Sequence, residues 1–184
     1  MKQSVTYSIL AVGIAILITS LRAGAVEPYT ATVAPFDAPP AIDGSLAAGE
    51  WDGALRVPGV MNYRDKFITP HRNEVYFGFT RDDLYLAVVS ELPPDGDLIA
   101  KQKYRDSTRM IGDDGVEIYI DPNRENRAAG KGDRRFYLFH GNSAGAFLDT
   151  AYDIEGAPDT GWNGDWSVAN GIHRDEGVWV LEVS

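Results

Sequence analysis

The stretch EVYFGFTRDDLYLAVVSE, residues 74–91, decides the fold class. Val75, Phe77 and Phe79 alternate with Tyr76, Gly78 and Thr80. A period of two places successive side chains on opposite faces of a strand. A second apolar run, LYLAVVSE (84–91), follows directly after Arg81-Asp82-Asp83. Aspartate favours turns because its side chain bonds nearby backbone. Two such runs around a short Asp-rich break predict an antiparallel hairpin.

The same pattern extends towards the C-terminus. GVEIYID (115–121) puts Val116, Ile118 and Ile120 on one face and Glu117, Tyr119 and Asp121 on the other. RRFYLFHG (134–141) and FLDTAYD (147–153) read as further strands, and WSVANGI and VWVLEVS flank His173-Arg174-Asp175-Glu176-Gly177 as a second hairpin. No segment of helical length repeats at 3.6 residues. Short strands, frequent turn signals and many aromatics predict an all-β chain, a two-sheet antiparallel sandwich of jelly-roll-like form.

Residues 1–25 are expected to be a secretory signal peptide: Lys2, the apolar run ILAVGIAILI (9–18), then Ala-Gly-Ala ending at Ala25. The run is shorter than the roughly 20 residues of a spanning helix, so no membrane span is expected after cleavage, and the protein is expected outside the cytoplasm. Residues 26–38, rich in proline and small side chains, read as a linker or edge segment, and 39–184 as the sandwich domain. VWVLEVS stops with no turn or polar tail after it. An open apolar edge is avoided by natural sheets, so the domain is expected to continue past Ser184, with a downstream domain as partner.

Loss of residues 1–25 removes Lys2 and Arg22 but no acid, which takes the formal charge from −10 to −12. An acidic chain lacks the basic face that phosphate neutralisation requires, which argues against nucleic acid and suits neutral ligands or cations. The absence of cysteine excludes a disulfide framework and zinc–thiolate sites.

Four pieces occur in order: PPAIDGSLAAGEWDGA (39–54), EVYFGFTRDDLYLAVVSE (74–91), GDDGVEIYIDP (112–122) and GVWVLEVS (177–184). Together they resemble the family 9 carbohydrate-binding modules over roughly residues 36–184. The resemblance implies a two-sheet antiparallel sandwich that binds an oligo- or polysaccharide without catalysis, often beside glycan-degrading domains, with calcium as a structural ion. It also implies a sugar-facing acid at Glu117. The tryptophan expected before the acidic stretch falls at Ile111, and Tyr137 stands where sugar binders carry an arginine.

The residues themselves leave several chemistries open. Glu117 offers two oxygens to vicinal hydroxyls, or else belongs to a solvated outer face. Glu117 and Asp121 lie about 13 Å apart along one strand, too far for the paired carboxylates of glycoside hydrolysis. With no nucleophile elbow or phosphate loop either, this segment is not read as an enzyme. Trp162, in the loop TGWNGDW, is the expected stacking residue, with Tyr137 as a second contact; Trp166 and Trp179 read as packing. For calcium the candidate ligands are Asp43, Glu50, Asp113, Asp114, Asp121 and Asn123, the last two opening the loop DPNREN. That loop is not an EF-hand, because its sixth position is Asn126 and its twelfth Gly132. Two other readings are a purely structural sandwich and a haem-binding electron-transfer domain drawing on Met61, Met110, His71, His140 or His173. His140 alternates with Phe136 and Leu138, which predicts that it faces the core.

Overall fold

The computed structural model describes residues 31–59, 67–122, 136–153 and 155–184. All fall in the unit Ala31–Ser184. Residues 1–30, which include the expected signal peptide, and Met61 and Asn123 lie outside the described residues.

One sheet joins β1 (Leu55–Pro58), β2 (Asn73–Phe79), β3 (Leu84–Glu91), β8 (Val168–His173) and β9 (Val178–Val183) in the order β1-β2-β3-β9-β8. The second joins β4 (Gly115–Ile120), β5 (Phe136–Asn142), β6 (Phe147–Tyr152) and β7 (Pro158–Asp159) in sequence order. All pairings are antiparallel. The chain is therefore a two-sheet antiparallel β-sandwich. A 3-10 turn, Thr108–Gly112, leads into β4. Among the described residues no helix is long and apolar enough to cross a membrane.

The first hairpin falls where its alternation puts it, with Phe79 opposite Leu84. Its turn is closed differently from the Asp-based expectation. The Thr80 N–H donates to the Asp83 carbonyl at 2.9 Å, and the Thr80 hydroxyl accepts the N–H groups of Asp82 and Asp83. A threonine hydroxyl thus plays the part expected of the aspartates.

Between the sheets, Trp179, Leu181 and Val183 of β9 meet Phe139 of β5, with Val116, Ile118 and Phe147 packed around them. Burial of each large side chain contributes roughly 1.5–3 kcal/mol. The β3 run is apolar at nearly every position because both of its faces are covered. On the face turned away from the second sheet, Tyr85 and Ala87 pack under Trp51, Phe36, Ile42 and Leu46. Val89, Val178 and Val180 extend that layer. Phe36 joins it directly: its N–H donates to the Phe79 carbonyl and its ring meets Trp51 and Tyr85 edge-on.

Glu182 ties this layer to the sheet. It shares the face of Val178 and Val180 and is completely buried. Its carboxylate accepts the N–H of Asp43 at 3.0 Å, the N–H of Gly44 at 2.7 Å and the Trp51 indole N–H at 3.1 Å. Burial pushes its carboxyl above the ordinary range, against the pull of those donors. Gly44 has φ +87°, and a Cβ there would sit 2.6 Å from the Asn170 carbonyl carbon of β8. The pieces Ile42-Asp43-Gly44, Trp51 and Glu182 are one interlock holding the opening segment on the sheet.

Candidate functional site

Strand register sorts the candidate residues by face. Glu117 of β4 lies opposite His140 of β5, and Tyr119 opposite Leu138. These four share the outer face of the second sheet, because Ile118 and Phe139 between them point into the core. His140 is buried on this outer face, which corrects the expectation that its alternation turns it towards the inter-sheet core. The alternation is real; the core belongs to the other set, Phe139 with Ile118.

Glu117 is an exposed acid of that face, with 41% of its side chain accessible. The Tyr119 hydroxyl donates to its Oε2 at 3.1 Å, and His140 Nδ1 stands 3.7 Å from its Oε1. Burial holds the His140 imidazole below its ordinary pKa, opposed by the charges of Glu117 and Asp113. Burial and then the Glu117 charge push the Tyr119 phenol up, so it remains a hydroxyl donor at neutral pH. Phe136 and Tyr152 stack at 4.5 Å on the same face, and Tyr119 leans towards Phe136 at 6.4 Å. Ile111, in the 3-10 turn before β4, is 81% exposed. The face therefore offers a two-oxygen acceptor, a phenol and apolar rims, with the buried His140 imidazole behind the acid. Such a set can receive a ligand bearing hydroxyls and C–H faces.

Tyr137 and Trp162 stand elsewhere. Tyr137 shares the inner face of β5 with Phe139, and Trp162 covers it with ring centroids 4.8 Å apart. Trp162 also meets Trp166 edge-on, and Trp166 packs on Phe139. The structure thus brings Tyr137 and Trp162 together as an extension of the core, and separates both from Glu117 by the thickness of the sheet.

Asp149 is a residue that the sequence reading passed over. Fully buried in β6, it accepts Arg105 Nη2 at 2.9 Å, the Gly164 N–H at 2.6 Å and the Trp166 indole N–H at 3.1 Å. Arg105 in turn lies 4.6 Å above the Phe147 ring. The tryptophan loop is held in place by this carboxylate. Its signal was present, since Asp149 shares the inward face of Phe147 and Ala151.

The acidic candidates for a metal are engaged with backbone amides. Asp43 Oδ1 accepts the Ser45 N–H, and Glu50 accepts those of Ala41 and Ala47. Asp113 accepts the N–H groups of Lys101 and Gln102 and the Asn142 side-chain amide. Burial acts upward on Asp113, but these donors together outweigh it and lower its pKa. Asp114 Oδ2 accepts the Ile99 N–H at 2.6 Å. Asp121 follows β4 and is exposed, and Asn123 lies outside the described residues. Among the described residues no three His, Asp or Glu side chains converge where they could hold an ion. The described carboxylates do not by themselves fit a calcium shell of six to eight oxygens.

The histidines and buried methionine are likewise spread out. His71 faces Glu91 at 3.4 Å, the His173 Nε2 lies 2.8 Å from the Gly44 carbonyl, and Met110 is wholly buried in the 3-10 turn.

No protein-family model matches the sequence, and no curated protein matches it. Among solved structures the chain is similar to a "putative carbohydrate-binding protein" of Bacteroides uniformis ATCC 8492, with 17% sequence identity and a TM-score of 0.52. The match covers 71% of this chain and 59% of that one, so the chain spans about three-fifths of its neighbour's length. At this identity the likeness is one of fold: both are built on the same β-sandwich frame.

Proposed function

We propose that this protein is an exported, non-catalytic saccharide-binding module akin to the family 9 modules, and that the sugar lies on the outer face of the second sheet around Glu117. The observation that carries the reading is the exposed Glu117 carboxylate with the Tyr119 hydroxyl on one oxygen and His140 beside the other. A carboxylate so oriented accepts two hydroxyls of a pyranose, while the Tyr119 ring supplies apolar contact to its C–H face. The likeness to a protein described as carbohydrate-binding supports the same class of ligand. Tyr137 and Trp162 contribute through the frame in this reading.

Isothermal titration against mono- and oligosaccharides tests it. Saturable binding is expected, with Glu117→Ala weakening it at least tenfold and leaving the melting temperature within a few degrees. No binding across a broad panel would remove the reading. It would favour the second one, a structural sandwich, which the exposed Ile111 at the expected tryptophan position supports.

A further inference from the structure

We propose a second ligand site on the opposite side of the sandwich, one that takes a small aliphatic zwitterion: an α-amino acid, or a short peptide. The saccharide reading plays no part in it. Val89 of β3 and Val178 and Val180 of β9 face away from the second sheet, and with Leu46 and Tyr76 packed against them they line a cavity of about 200 Å3. Arg72 and Glu176 line its rim. The cavity adjoins an open cleft of about 550 Å3 that shares Arg72, Glu176 and Val178.

The two rim charges are opposite, yet they are not paired with one another. Arg72 is fixed through Nε, which donates to Glu74 Oε1 at 3.3 Å, and its terminal nitrogens donate no hydrogen bond among the described residues. The Glu176 carboxylate, on the turn between β8 and β9, has no partner among the described residues. Glu74 also takes Arg56 at 2.7 Å and the Tyr76 hydroxyl at 2.7 Å, which anchors Arg72 from behind. Arg72 and Glu176 are the formally charged side chains lining the small cavity, one of each sign. Such a neutral set favours a ligand carrying both signs over a simple anion or cation.

The complement follows directly. A ligand carboxylate meets the terminal nitrogens of Arg72, whose planar fork suits a carboxylate. A ligand ammonium meets Glu176, and an aliphatic side chain enters the cavity against Leu46 and the valines. The small cavity holds a single amino acid, and the adjoining cleft has room for the further residues of a peptide.

The test is titration of the full chain with L-leucine and with Leu-Leu, alongside N-acetyl-leucine and leucinamide. Binding of the zwitterions is expected, with each blocked analogue at least tenfold weaker. Glu176→Gln should cost at least tenfold for leucine, and Glu117→Ala should change nothing. Saturation by leucine identifies a free amino acid as the ligand, whereas saturation by Leu-Leu alone identifies a peptide that uses the cleft. Absence of zwitterion binding would overturn the proposal. So would equal affinity for N-acetyl-leucine, or indifference to Glu176→Gln. Because Glu176 is exposed and partnerless among the described residues, its substitution leaves folding intact.

Discussion

Replacing Glu182 with alanine should unfasten the opening segment from the sheet. The wild-type carboxylate accepts from Gly44 N–H, Trp51 Nε1–H and Asp43 N–H, the first two at buried positions. Alanine leaves the two buried donors without a partner, at roughly 1–3 kcal/mol each. The Asp43 N–H is near enough to solvent to find water. Against this loss stands the burial cost of the carboxylate itself, which outweighs its hydrogen bonds and raises its pKa. The net expectation is destabilisation by about 2–4 kcal/mol. For a chain of this size that lowers the midpoint by roughly 4–15 °C. Glu182→Gln keeps one acceptor oxygen and the volume, and should lose less. A folded carboxyl pKa raised above the unfolded value gives stability that is fully present below about 4.5 and is lost as pH rises through the folded pKa. The advantage of wild type over Glu182→Gln should therefore shrink with rising pH. Urea unfolding of the three proteins, followed by tryptophan fluorescence at several pH values, measures both effects. A Glu182→Ala protein within 1 kcal/mol of wild type would refute the interlock, as would an advantage over glutamine that grows with pH.

Two further outcomes bear on charge and metal. Glu74, hydrogen-bonded first by Arg56 and also by Tyr76 and Arg72, is held at about 2 against an ordinary 4.5. At about 1.4 kcal/mol per unit this is at most ~3.5 kcal/mol, and solvent around the half-exposed arginines reduces it to about 1–2 kcal/mol. The stability is present above pH 4.5 and lost as pH falls towards 2. Acid unfolding of Glu74→Gln should therefore lack that slope, and parallel profiles for the two proteins would count against the network. Calcium, the structural ion that the family resemblance implies, is kept as a proposal for the native state. The proposal predicts a midpoint that rises with added calcium and falls with chelator, because a ligand of the native state alone must stabilise it. A midpoint indifferent to both would end that proposal.

Periodicity reported the fold and was silent on the site, for a physical reason. In VEIYID, alternation alone separates Val116 and Ile118 from Glu117 and Tyr119, because one set meets the core and the other does not. In FYLFHGN both sets are buried, so alternation around His140 says that two faces exist but not which one is the core. Only the register, Ile118 opposite Phe139, decides it, and register depends on a partner strand that local sequence does not name. The same limit governs the carboxylates. Asp43, Glu50, Asp113 and Asp114 look like metal ligands in a linear string, since a side-chain oxygen promised to a distant amide is indistinguishable there from a free one. Asp113 reaches back to Lys101 and Gln102 and across to Asn142; the Asp43 backbone is bound 139 residues away by Glu182. The pattern Ile-Asp-Gly, then tryptophan, then a late glutamate was legible as a resemblance, but its meaning is mechanical. Gly44 clears the β8 backbone, Trp51 and Gly44 donate to Glu182, and the one acid on a strand buried at every position is what fixes the segment in place.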